Sequence, residues 1–243
     1  MIKEVTDDKV RLIHGDCSGV VAGLPDRSVD MVLTDPPYGI SYQSNGRVKS
    51  KKFAVLANDD NDSRLALYPE LHRVLKADSV AAVFCSFKNY QTDYEALKDL
   101  FHIKNVIIWH KGGGGLGDLK HTLATDYEMI IIAHKGRCKI RGKREGSVWH
   151  HKKVPPSKMV HATEKPVDLI ERLAAKYSDE GGIILDPFMG SGTTGVAARN
   201  LNRSFIGVEL DDTYFDVAKG RISPEVPPSS SSHFERRFNE GVK

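Results

Sequence analysis

Ile183-Ile184-Leu185-Asp186-Pro187-Phe188-Met189-Gly190-Ser191-Gly192-Thr193-Thr194-Gly195 is the stretch that decides the fold. Ile183 to Leu185 is a short apolar run of the kind that forms a buried strand. It runs through Asp186-Pro187-Phe188 into a glycine-rich turn, and Val196 to Leu201 then reads as helix. Strand, glycine turn and helix form an element that binds nucleotide cofactors. The glycines let the backbone approach a ligand, and the helix N-terminus offers unpaired N–H donors. Gly190, Gly192 and Gly195 satisfy the dinucleotide fingerprint spacing. The next strand, Ser204 to Val208, ends at Glu209, and a carboxylate there can take both hydroxyls of a ribose.

A second apolar run, Val29 to Thr34, ends in Asp35-Pro36-Pro37-Tyr38. The two prolines fix φ and bias the preceding backbone to extended geometry, so this exit is stiff. They lack N–H groups, which leaves a surface rich in carbonyl acceptors. A carboxylate, a carbonyl and a flat ring on a stiff support suit a planar aromatic amine. The exocyclic amino group of adenine or cytosine is one.

Working outward, strands are predicted at Val10–His14, Ser79–Cys85, Ile103–Trp109 and Tyr127–Ala133. Helices are predicted after Cys17, over Ser63–Lys76 with Asp62 or Ser63 as cap, and over Tyr90–Phe101, Pro166–Tyr177 and Asp211–Ile222. Alternating strands and helices predict an α/β fold with a doubly wound, mostly parallel, seven-stranded sheet. The glycine turn falls near the C-terminus, so strands from both halves of the chain must share that sheet. Residues 1–223 read as one domain. The tail 224–243, with Pro227-Pro228 and a run of serines, has no apolar period and is expected to be disordered.

These residues together resemble the amino-group DNA methyltransferases of the β group, which use S-adenosylmethionine. The resemblance rests on Asp35-Pro36-Pro37-Tyr38, on Asp186 to Thr194, on His161-Ala162-Thr163-Glu164-Lys165-Pro166, and on Gly207-Val208-Glu209-Leu210 with Tyr214, Ala218 and Arg221-Ile222. It spans most of residues 10–222. It implies a circularly permuted, Rossmann-like methyltransferase sheet and transfer of a methyl group to the N6 of a flipped-out adenine. Asp35, Pro36, Pro37 and Tyr38 would be catalytic, with Tyr38 stacking on the base. Asp16, Cys17, Asp35, Lys165, Asp186, Phe188, Gly190, Ser191, Gly192, Thr193 and Glu209 would line the cofactor site. Asp186 corresponds to the acid that faces the cofactor's amino group, and Asp16 to the acid on its adenine; Asp16 read alone is equally a helix cap. N4-cytosine methylation is the alternative with the same chemistry. An NAD oxidoreductase would fit the glycines but leaves Asp35–Tyr38 and His161–Pro166 without a role. A catalytically inactive DNA-binding module is a further alternative.

The formal net charge is only +3, yet Lys135 to Lys158 holds nine Lys or Arg and one acid, Glu145. A basic segment on a mildly acidic body is the footprint of a phosphate partner, here double-stranded DNA. It falls where β-group enzymes carry a target-recognition insertion, about 135–160. Arg137, Arg141, Arg144 and Lys152 are candidate contacts there, and Arg47 and Lys49 in the basic Ser41–Lys52 loop. Relatives in the group are often homodimers. Three separated cysteines and ten histidines without ligand spacing predict no metal site. The absence of a leader or a long apolar run predicts a cytoplasmic protein without membrane contact.

Overall fold

The computed structural model describes residues 3–37, 61–113, 120–161 and 164–222, with the backbone alone at 61–63. Tyr38, Arg47, Lys49, Thr163 and the tail from Pro224 lie outside the described residues. The elements run β1 (Lys3–Thr6), β2 (Val10–His14), α1 (Cys17–Ala22), β3 (Val29–Thr34), α2 (Asn61–Val74), β4 (Leu75–Cys85), α3 (Tyr90–Lys98), β5 (His102–His110), β6 (Tyr127–Lys135), β7 (Val148–His150), α4 (Val167–Tyr177), β8 (Ile183–Asp186), α5 (Thr193–Asn200), β9 (Ser204–Glu209) and α6 (Asp212–Ile222). Asp62 and Ser63 therefore lie within α2 rather than capping it.

The described strands form one nine-stranded sheet in the order β1-β2-β9-β8-β3-β4-β6-β5-β7. Seven were expected; the additions are the two edges. β1 pairs antiparallel with β2, and β7 pairs parallel with β5. Both are short, and β1 is exposed and polar, so their pairing comes from ladder hydrogen bonds rather than from a burial pattern. The central pairs are parallel, while β6 runs antiparallel to both its neighbours.

The sheet is covered on both faces, which is why β3 is apolar without a break over Met31, Val32 and Leu33. Met31 and Leu33 pack with α4, α5 and α6, while Val29 and Val32 pack with α1, α2 and α3. Burying Met31, Val32 and Leu33 completely contributes about 1.5–3 kcal/mol each. β3 pairs directly with β8, Met31 opposite Ile184 and Val32 opposite Leu185. The chain leaves β3 through α2 on one face and leaves β8 through α5 on the other. A crevice opens where such connections diverge, at the C-terminal strand ends. The exits at Asp35 and Asp186 therefore stand side by side, although 148 residues of chain, 35–182, separate β3 from β8. Among the described residues no helix is long and apolar enough to cross a membrane, and no cluster of His, Cys, Asp or Glu is placed to hold a metal ion.

Candidate active site

The β8–α5 turn and the end of β9 form one side of the crevice. Gly190 has φ +52°, and its N–H donates to Glu209 Oε2 at 2.9 Å. Asp211 N–H donates to Glu209 Oε1 at 2.8 Å. Each carboxylate oxygen keeps acceptor capacity, as two ribose hydroxyls require. Burial raises the Glu209 pKa, and these N–H groups oppose that. Gly15 N–H donates to Glu209 O at 2.9 Å, which carries Asp16 to the same strand end. Asp16 is exposed and caps α1, its Oδ1 accepting from Ser18 N–H at 2.8 Å. Cys17 beside it is half-buried, and burial followed by the Asp16 charge pushes its thiol up to about 11. Phe188 is half-buried against the α1–α3 side of the core.

Three residues expected at the cofactor site have packing roles in this turn. Asp186 is 3% exposed and accepts from Thr34 Oγ1 at 2.8 Å, Phe188 N at 3.1 Å and Thr194 Oγ1 at 2.6 Å. It pins β3, the turn and α5 together. Burial lifts it to about 6 despite those donors. Ser191 is turned toward α6, where Arg221 Nη1 donates to its carbonyl and its hydroxyl, both at 2.8 Å. Gly192, with φ +82°, is glycine for the helix rather than for a ligand: a Cβ would stand 2.7 Å from Ile222 Cδ1 and 2.9 Å from Ala218 Cβ. Gly195 faces Ile222 and Phe205 in the same way. Thr193 opens α5 and is buried.

Asp35 forms the other side. It extends the row Met31, Leu33 on the α4–α6 face and is paired through Oδ2 with Lys165 Nζ. Lys165 is 7% exposed, lies 5.2 Å from the Phe84 ring centroid and stands 3.1 Å from Glu128 Oε2. Lys111 Nζ approaches Glu128 Oε1 at 3.2 Å. The result is a row of alternating charge, Asp35–Lys165–Glu128–Lys111, in which Lys165 is buried and the other three are half-buried. Burial works against the Lys165 cation, but the two carboxylates hold its pKa above the ordinary lysine value. Burial alone would raise Glu128, and Lys165 and Lys111 bring it below its usual range.

Glu128 and Lys111 escaped the sequence reading. A signal existed: Glu128 continues the core-facing row of Ile130 and Ile132, where a carboxylate is out of place without a partner. Glu164 and Lys165 are neighbours that serve opposite sides of the crevice. Glu164 accepts from Val160 N–H at 2.9 Å and stands 2.7 Å from Arg221 Nη2, tying the segment to α6, while Lys165 reaches Asp35. His161 is buried against Tyr214, with ring centroids 4.2 Å apart, and faces Gly190. Burial, then the Lys165 charge, lowers its pKa to about 4.

The basic segment divides between the two ends of the sheet. β6 runs opposite to β3, so the chain leaves it at the end away from Asp35. There Arg137 N–H donates to Asp78 Oδ1 at 2.7 Å, and Arg141 holds Asp179 through Nε at 2.7 Å and Nη2 at 2.6 Å. Glu145 binds Arg172 and Lys176 of α4, which keeps exposed Arg144 along that helix. Arg141 is thus engaged at the end of the sheet away from the crevice, while Arg137, bonded through its backbone N–H, is exposed at that same end. β7 then returns the chain, and Lys152 lies against Gly112, next to Lys111, at the Asp35 end. The 135–160 segment is thus partly built into the sheet instead of standing apart as an insertion.

The profile of the N6/N4 DNA methylase family matches residues 29–220. The Type II methyltransferase M2.DpnII of Streptococcus pneumoniae is 30% identical, over 90% of this chain and 91% of that protein. The DNA adenine methyltransferase YhdJ of Escherichia coli strain K12 is 29% identical, over 87% of this chain and 82% of that protein. The crystal structure of the M1.HpyAVI–SAM complex superposes with a TM-score of 0.70 at 26% identity, over 88% of this chain and 99% of that one. The cytosine-N4-specific PvuII DNA methyltransferase shares the fold, with a TM-score of 0.70 at 14% identity, over 96% of this chain and 93% of that one.

Proposed function

We propose, for a chain that belongs to the N6/N4 DNA methylase family, transfer of a methyl group from S-adenosylmethionine to the exocyclic N6 of an adenine swung out of double-stranded DNA. The observation that carries this reading is the Asp35 carboxylate, held by Lys165, at the β3 exit directly beside the β8 exit that leads into the Gly190 turn. The donor set fits the cofactor: Glu209 offers acceptor sites for two hydroxyls, and the Asp16 carboxylate is exposed next to it. When bound, S-adenosylmethionine supplies an electrophilic methyl on a sulfonium.

The chain's own residues act on the amine. The N6 lone pair is delocalised into the purine ring, so the nitrogen is a poor nucleophile. Asp35 and the Pro36 carbonyl each accept one N–H of the amino group, which orients the lone pair for in-line attack. Positive charge then develops on N6, and the Asp35 carboxylate stabilises it. The Lys165 ammonium paired with Asp35 holds that carboxylate in place. The carboxylate therefore works as a fixed acceptor, and the surplus proton of the methylated amine leaves to water. Tyr38, two residues after Pro36, would stack on the base. Lys152 would meet a DNA phosphate at the rim of the crevice.

Asp35→Ala is expected to abolish transfer of tritiated methyl groups to DNA while the dissociation constant for S-adenosylmethionine, by calorimetry, stays within a few-fold. Retained transfer in that variant would overturn the assignment. Nucleoside analysis of the product separates N6-methyladenine from N4-methylcytosine. The proposal extends to a homodimer in solution, which light scattering after size exclusion tests.

A further inference from the structure

Arg64, on α2, is 1% exposed and occupies a position where an apolar residue belongs. It precedes Leu67, Tyr68 and Leu71 by three, four and seven residues, on the face that packs against the sheet. Its Nη1 donates to the carbonyl of Pro37 at 3.1 Å, and its Nε lies 3.1 Å from Asp93 Oδ1 of α3. Tyr68 Oη donates to that same Oδ1 at 2.7 Å. Arg64 Nη2 and Asp93 Oδ2 are buried and make no hydrogen bond among the described residues.

This cluster is a poor choice for stability. A buried ion pair seldom outperforms apolar side chains of the same volume, and incompletely satisfied atoms worsen the comparison. What it does supply is a donor, and the β3 exit lacks donors. Pro36 and Pro37 have no N–H, so the backbone there can be tied to the fold only through its carbonyls. If the Pro36 carbonyl serves the substrate amine, Pro37 is the next handle, and Arg64 holds it. We propose that Arg64, oriented by Asp93 and Tyr68, is a positioning residue for methyl transfer that fixes the Asp35–Pro37 exit through the Pro37 carbonyl. This rests on the methyltransferase reading above.

The test replaces the whole cluster so that no buried charge or hydroxyl is orphaned: Arg64→Met, Tyr68→Phe and Asp93→Leu together. The triple variant is expected to melt at or above the wild-type temperature and to bind S-adenosylmethionine with unchanged affinity. Its single-turnover rate of methyl transfer to DNA is expected to fall about a hundredfold, since a misplacement of an ångström costs that much. Arg64→Lys, which keeps a donor for the Pro37 carbonyl, should recover part of that loss relative to the triple variant. A merely structural cluster would move melting and leave the rate. Wild-type transfer by the triple variant overturns the Arg64 assignment alone, and a wild-type chain that methylates no DNA overturns the methyltransferase reading itself.

Discussion

Lys165→Met isolates the charge row. The methionine fills most of the space against Phe84 but leaves Asp35 and Glu128 without their shared cation. Glu128 Oε2 loses the ammonium that stood 3.1 Å from it, and Oε1 retains Lys111 nearby. Breaking a buried pair from one side costs about 3–5 kcal/mol, because the remaining charge stays desolvated. In a domain of this size that lowers the melting temperature by roughly 6–20 °C. Adding Glu128→Gln removes the stranded charge, so the double variant should be more stable than Lys165→Met by about 1–3 kcal/mol. Urea denaturation of the four proteins, without ligand, measures the cycle. If Lys165→Met lies within about 1 kcal/mol of wild type, or the two substitutions simply add, the row is not an interacting unit and its proposed hold on Asp35 fails.

Asp186 predicts a pH signature. Its folded pKa of about 6 exceeds the ordinary 3.8, so between those values the folded state binds more protons and stability falls as pH rises. Asp186→Asn lacks that loss, so its stability relative to wild type should climb by about 2 kcal/mol from pH 4 to 6, read from urea midpoints at each pH; a flat difference refutes the burial argument. Gly192→Ala places a Cβ 2.7 Å from Ile222 Cδ1 at φ +82° and should cost about 1–3 kcal/mol by thermal shift, whereas an unchanged melting temperature would show that α6 yields freely. Lys152→Ala should lower the slope of log affinity for DNA against log salt by about one, while Arg141→Ala, committed to Asp179, should leave that slope alone; equal slopes would return Arg141 to the DNA interface.

The parts of the fold that were legible are those whose cause is local. β3, β8 and β9 are apolar runs because both faces are covered, and the turn after β8 announces itself by its glycines. Asp35 and Glu209 were visible because each terminates such a run. β1 and β7 were not, since an edge strand is defined by the neighbour it pairs with. The layout of the basic segment was hidden for a related reason. A count of lysines and arginines records charge, but the direction of β6 decides which end of the sheet receives Arg137 and Arg141. Asp186 and Ser191 looked like ligand contacts because they flank the glycine turn. Only packing reveals that Thr194 and Arg221 already engage them. Arg64 and Glu128 sat in plain view as charges on apolar rows, with meaning only once Pro37 and Lys165 were placed beside them.

Arg64 and Lys165 answer a problem set by the prolines. The ladder that fixes β3 ends at Thr34, locked across to Asp186. Beyond it the chain offers no N–H at 36 or 37, so side chains must do what a ladder would. Arg64 reaches the exit from the α1–α3 face and Lys165 from the α4–α6 face. Shifting the exit therefore means displacing two separately packed layers. Each cation also brings a carboxylate besides those of the reaction, Asp93 for Arg64 and Glu128 for Lys165. That division matters electrostatically. If Lys165 relied on Asp35 alone, drawing Asp35 toward a substrate amine would strip a buried cation of its counter-charge, at a cost of several kcal/mol. With Glu128 in place, Asp35 can share its acceptor capacity with a base that arrives and departs, while the cation behind it stays neutralised throughout.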